Sequence, residues 1–247
     1  MEEHELLENQ ESIERQAASG IEIWDNAKRA KILIIVFYVI LASFLMSFLA
    51  TLGELHFYQS LEAGEYIDDS AYDSHESLLA MVAVAHMGLY IGSVVVFLNW
   101  FRRAYGNLHR AGTPYVAHSE SMAVWFWFIP IVSFFRPFQL MQEIWRETQE
   151  RIQEYDPTYD IQNAKGLVGT WWALHIIANF LGNYVLRSTL KSPDLSQLIT
   201  TSQVSLFSDV LELIEAILVI LIVRKLSGIE TKLADEVVKA GGQVISK

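Results

Sequence analysis

Residues 32–53 read ILIIVFYVILASFLMSFLATLG, an unbroken apolar run without a single charge. About 20 apolar residues suffice for a helix to cross the hydrocarbon core of a bilayer, so this run predicts a transmembrane helix. Its neighbours fit the same reading. Residues 77–101, SLLAMVAVAHMGLYIGSVVVFLNWF, form a second such run with His86 inside it, and residues 166–186, GLVGTWWALHIIANFLGNYVL, form a third. A further run lies within Leu195–Val223 and carries Asp209, Glu212 and Glu215. Between them, residues 121–135, SMAVWFWFIPIVSFF, are uncharged but short, with Pro130 in the middle. A proline there removes a helical hydrogen bond and favours a break.

The composition agrees. Hydrophobic residues make up 52% of the 247-residue chain and charged residues 19%, below the roughly 25% of soluble domains. A formal net charge of −11 argues against a nucleic-acid partner. The absence of cysteine removes disulfides, thiolate metal sites and thiol nucleophiles. Met1–Gln16 is acidic and polar, so the first apolar helix is expected to serve as its own insertion signal.

Charge sets the expected orientation. Residues 54–76 hold seven acidic side chains and no Lys or Arg, whereas Lys28, Arg29 and Lys31 precede the first run. The positive-inside rule then places both termini in the cytoplasm and the acidic loop outside. If residues 121–135 enter and leave on one side, only Arg187 and Lys191 of the 18 basic residues lie outside. A crossing would put half of the basic residues on the wrong side.

The expected fold is thus an all-α, multi-pass protein of the cell membrane. It has about four transmembrane helices, a short Pro-containing re-entrant segment (or a kinked fifth span), and cytoplasmic amphipathic helices. Residues 1–27 form an acidic cytoplasmic segment, 28–225 the membrane domain and 226–247 a cytoplasmic tail. Phe138, Met141, Trp145, Thr148, Ile152 and Tyr155 recur at helical spacing, so residues 137–155 are expected to be one helix with Glu147 and Glu154 in solvent. Leu226, Ile229, Leu233 and Val237 form a second stripe. Carboxylates outnumber basic residues on the first of these helices, which makes anionic headgroups a poor partner.

Polar groups inside membrane runs are costly and mark sites. His175, Asn179 and Asn183 share one helical face, and Asp209, Glu212 and Glu215 share another. Counting about 1.5 Å per residue from the cytoplasmic ends places His175 level with Glu215, Asn179 with Glu212, and Asn183 with Asp209. The two stripes therefore predict an intramembrane cluster, either hydrogen bonding that fixes the packing or a proton- or cation-responsive site. A carboxylate-bridged metal centre would need a Glu-x-x-His pair from each of two helices. That pair is absent, and neither metal nor cofactor is expected. Gly88 and Gly92 give a small-xxx-small spacing compatible with close helix packing. No phosphate loop, nucleophile elbow or HExxH motif occurs.

Two tracts, WFRRAYGNLHRAG at 100–112 and WFWFIPIVSFFRPFQLMQEIW at 125–145, followed by Trp171-Trp172, resemble the bacterial membrane proteins of the "domain of unknown function 4328" family. Its most specific part is Pro130 followed by Arg136, Pro137, Gln139, Glu143 and Trp145, with Ser133 where an Asn is expected. The resemblance implies a polytopic bacterial inner-membrane protein and no assigned activity. The expected function is a non-enzymatic scaffold, accessory subunit or sensor, in contact with the lipid bilayer and with a protein partner or a second copy. The alternatives are a small channel or proton-coupled transporter using the His/Asn/Asp/Glu cluster, and an intramembrane enzyme acting on lipid.

Overall fold

The computed structural model describes residues 20–66, 68–114, 116–191 and 193–246; most of the expected acidic N-terminal segment lies outside the described residues. The chain is mainly helical. In order come β1 (Glu22–Trp24), α1 (Ala27–Glu62), α2 (Asp69–Arg110), α3 (Glu120–Trp125), a 3-10 turn (Val132–Phe134), α4 (Arg136–Tyr155), α5 (Lys165–Thr189), α6 (Leu195–Lys239) and β2 (Gln243–Ile245). The two strands pair in parallel, Ile23 opposite Val244. The helices outlast the apolar runs: α1 continues nine residues past Gly53 to Glu62, and α6 carries on through Lys239.

Among the described residues, two helices are long and apolar enough to cross a membrane: Ala27–Glu62 and Ser77–Arg110. That is fewer than the expected four, and the reason lies in the candidate cluster itself. His175, Asn179 and Asn183 dilute the apolar character of α5, and Asp209, Glu212 and Glu215 load α6 with charge. In both qualifying helices only 17% of the most apolar window is buried. Ile35, Val39, Met46 and Leu49 of α1 and Met81, Val84, Met87 and Val95 of α2 are exposed.

The chain divides into two units. Of the described residues, unit 1 holds those up to Leu33, those within Val96–Gly169 and those from Ile222 on, and unit 2 holds those within Ile34–Val95 and Thr170–Leu221. Unit 1 is densely packed. Trp100, Phe101, Tyr105 and Leu108 of α2 are buried in it, as are Leu140, Met141, Ile144, Trp145 and Ile152 of α4. Leu226, Ile229, Leu233 and Val237 of α6, the second stripe read from the sequence, are also buried. Unit 2 has a thinner core, in which Ile40 and Phe44 of α1 meet Ala216 of α6, with Val36, Phe37, Leu41 and Leu213 around them.

Helix α4 begins where Pro137 occupies its first turn, a position that tolerates a missing N–H. Its buried face is wider than the expected stripe, taking in Leu140 and Ile144. Glu147 is a correction: it is buried, not in solvent, and accepts a hydrogen bond from Arg146 Nε at 3.1 Å. The guanidinium neutralises a carboxylate that the apolar surroundings would otherwise penalise.

Residues 121–135 do not form a continuous helix. Helix α3 stops at Trp125 and the 3-10 turn begins at Val132. Between them Val132 N donates to Pro130 O at 2.8 Å, closing a γ-turn with Ile131 at φ 68, ψ −51. That is the strained hand of the turn, and for a β-branched residue it costs on the order of 1–3 kcal/mol. Trp125, Phe128, Ile129, Ile131, Phe134 and Phe135 are all exposed.

Candidate functional site

The two polar stripes of unit 2 meet at one level. His175 Nδ1 lies 2.8 Å from Glu215 Oε1. Asn179 Nδ2 lies 3.2 Å from His175 Nε2 and donates to His175 O at 2.8 Å. An amide N–H can only donate, so Nε2 accepts and the ring proton sits on Nδ1, pointing at the carboxylate. Trp172 stacks on the imidazole at 5.0 Å, with Trp171 next to it at 6.3 Å. The family-like Trp pair thus frames the one His/Glu contact of the stripe.

The other two levels are not joined. Asn183 is exposed and donates to Asn179 O at 2.8 Å, within its own helix. Glu212 accepts from Ser208, one turn away on α6, at 3.2 Å. Asp209, 8% exposed, is held by α1: Ser47 Oγ lies 3.1 Å from Oδ1 and Thr51 Oγ1 lies 3.3 Å from Oδ2. Those hydroxyls were missed in the sequence, although Ser43, Ser47 and Thr51 fall four residues apart on the first apolar run. Ser43 completes the stripe by meeting His86 Nδ1 of α2 at 3.0 Å, beside Phe44.

Among the described residues no group of three His, Asp or Glu side chains could hold a metal ion. The chemistry the unit 2 cluster offers is proton exchange between an imidazole and a carboxylate in direct contact.

In unit 1 the tracts that carry the family resemblance form a second polar network. Arg136 Nη2 donates to His118 Nε2 at 3.0 Å and Arg136 Nη1 donates to Gln139 Oε1 at 2.8 Å. The guanidinium also covers the Phe126 ring, which lies edge-on to His118. His109 Nε2 donates to His118 O at 2.6 Å. Tyr105 donates to Glu143 Oε1 at 3.3 Å. Burial pushes the Glu143 carboxyl above its usual range, and the Tyr105 hydrogen bond opposes that. Trp145 Nε1 donates to Gln162 O at 2.9 Å. Trp127 packs on Phe97 and Phe101 of α2. The motif residues therefore fasten α4 and the 121–135 segment to α2.

The tract at 100–112 has its own task. Asn107 accepts from Trp24 N at 3.1 Å and donates to Trp24 O at 2.8 Å. Arg103 and Arg110, one turn to either side, cover the Trp24 ring at 4.5 and 3.6 Å from its centroid. Arg110 is also paired with Glu120, and Gly106 makes room for the pair: a Cβ there would lie 2.5 Å from both partners.

The family model of DUF4328, described as a domain of unknown function, matches residues 63–228, and the chain belongs to that family. Both resemblance tracts and the unit 2 cluster on α5 and α6 fall inside the match, whereas Trp24 and β2 fall outside it. No curated protein matches the chain, and no solved structure does.

Proposed function

We propose that this DUF4328 protein is a multi-pass membrane protein without catalytic chemistry, acting as a scaffold, accessory subunit or sensor. The observation that carries the reading is outward-facing apolar surface on membrane-length helices. Soluble proteins rarely expose apolar patches beyond a few hundred Å², yet α1 and α2 present aliphatic side chains outward along most of their apolar windows. Helices α5 and α6 do the same with Phe180, Leu186, Phe207, Ile214, Ile217 and Leu221. In this reading all four helices cross, their internal polar groups satisfied by the contacts within unit 2. Both termini lie in the cytoplasm, in accord with the positive-inside rule.

Residues 121–135 re-enter in this reading. The His118–Arg136 contact supports it, because the two side chains that bracket the segment meet at 3.0 Å. The ends of a crossing segment would stand about 30 Å apart. A cysteine placed at Glu150 tests the topology, since the native chain has none. Labelling by an impermeant reagent only after the membrane is opened is expected; labelling in whole cells overturns the orientation.

A second reading, favoured by the His175–Glu215 contact, is proton-coupled transport. Purified protein in liposomes would then show a pH-driven flux that a Glu212→Gln, Glu215→Gln variant lacks. Equal flux in the two proteins removes it.

A further inference from the structure

We propose that α5 is a dimer contact, packing in the membrane against α5 of a second copy through Asn179, Gly182 and Asn183. This rests on the reading in which α5 crosses the bilayer, and it names the partner that the outward face of that helix takes. The face is polar where lipid would call for apolar side chains. Asn179 and Asn183 are both exposed. Counting back from Arg187, Asn183 lies about 6 Å and Asn179 about 12 Å inside the apolar run. Their side chains turn away from the nearer surface. Asn183 Nδ2 donates to Asn179 O at 2.8 Å and Asn179 Nδ2 to His175 O at 2.8 Å, each one turn towards the N-terminal end of α5. Asn183 also points away from the packed side of the helix: Ala178, 6% exposed, lies about 140° round from it, whereas Leu186, one turn on, is 58% exposed.

Each amide has two hydrogens to give and an oxygen that accepts. Asn179 uses both hydrogens within the helix, on His175 O and His175 Nε2, and its Oδ1 accepts nothing among the described residues. Asn183 uses one hydrogen, which leaves an N–H and Oδ1 to be satisfied. Hydrocarbon chains offer neither donor nor acceptor, so these groups are costly on a lipid-facing surface.

Symmetry makes a second copy the fitting occupant. A two-fold axis along the membrane normal sets two α5 helices side by side and parallel, so each residue meets its own counterpart at the same depth. Asparagine is its own complement in such a contact. The spare N–H of each Asn183 is given to the open Oδ1 of Asn183 or Asn179 in the other copy, and no other residue type is needed. Gly182 lies between the two amides, and a Cβ there would meet nothing within 4 Å, so the two backbones can approach closely. Residues 166–186 carry no Asp, Glu, Lys or Arg, so a partner chosen by charge has nothing on this face to read.

Full-length protein in liposomes tests this, and the native chain has no cysteine to interfere. Leu186→Cys sits on the contact face and keeps both amides. Ile177→Cys is also at an exposed position but lies about 180° round the helix from it. Mild oxidation should link Leu186→Cys into a covalent dimer and leave Ile177→Cys unlinked; equal linking, or none in Leu186→Cys, overturns the proposal. Single-molecule photobleaching across protein-to-lipid ratios reads the affinity. Asn183→Leu should dimerise about tenfold more weakly, because it removes a pair of symmetry-related bonds, and Asn183→Gln, which keeps the amide, should recover most of that loss. A wild type that stays monomeric, or Asn183→Leu equal to it, overturns the proposal. Should Asn183→Leu fail to fold, the two cysteine variants decide. Ile177→Cys also separates this contact from the membrane reading, since the position lies about 15 Å inside Arg187. If an impermeant reagent labels it in opened vesicles, α5 is not in the bilayer and both fall; if it is shielded and the protein is monomeric, only the dimer falls.

Discussion

Arg136 Nη2 and His118 Nε2 lie 3.0 Å apart, although the residues are 18 positions apart in the chain. The bond needs an unprotonated imidazole nitrogen, and burial together with the Arg136 charge lowers the His118 pKa from 6.5. A histidine depressed in the folded state contributes stability that is fully present above its unfolded value and is lost as pH falls below it. His118→Gln should lower stability by about 1 kcal/mol at pH 8. It should also remove the part of the acid-induced loss that begins below pH 6.5. Thermal unfolding of both proteins across pH 5–8 in mild detergent checks this; parallel curves would discount the clamp.

Trp145 is buried and its indole N–H is taken by Gln162 O. Trp145→Ala should reduce stability by about 3–5 kcal/mol, the usual cost of emptying a packed aromatic site. The measurement is the shift of the unfolding midpoint, and an unchanged midpoint would mean that the ring contributes no packing.

Gly106 faces the ends of the Arg110 and Glu120 side chains, which a methyl group would push aside. Both side chains are flexible, so Gly106→Ala should move that surface ion pair while changing stability by no more than about 1 kcal/mol, with the better helix propensity of alanine acting in its favour. Thermal unfolding checks this, and a loss well beyond that size would mean the two side chains cannot give way.

His175 and Glu215 should be energetically coupled. A double-mutant cycle with alanine at both positions is expected to give about 0.6–1.7 kcal/mol, the range for polar pairs between membrane helices. Asn183→Ala, whose side chain bonds only within its own helix, should show no coupling to Asp209→Ala. Coupling there would restore the level-by-level pairing that the geometry of Asp209 replaces.

Periodic features were legible in the sequence. The α4 stripe of Met141, Trp145, Thr148 and Ile152 is a repeat of three and four, and burial follows it. Pro130 marked the break in the 121–135 segment because proline acts on its own helix. What was not legible depends on distant contacts. Counting residues sets Asp209 level with Asn183, yet such a count says nothing about rotation, and α6 turns that carboxylate to Ser47 and Thr51 of α1. The burial of Glu147 depends on the neighbouring Arg146, a local charge pair that a stripe of apolar positions does not encode. Trp24 and Asn107 stand 83 residues apart, and three-residue strands leave no alternation to read.

Strand β1 uses Ile21 O and Asp25 N to pair with β2, so the N–H and C=O of Trp24 point to the opposite side. An open strand edge is a template onto which another chain can add by backbone hydrogen bonding. Asn107 occupies both groups of Trp24 with a single side-chain amide, which closes that edge without a third strand. A strand docking on that side would find both backbone groups of Trp24 already taken.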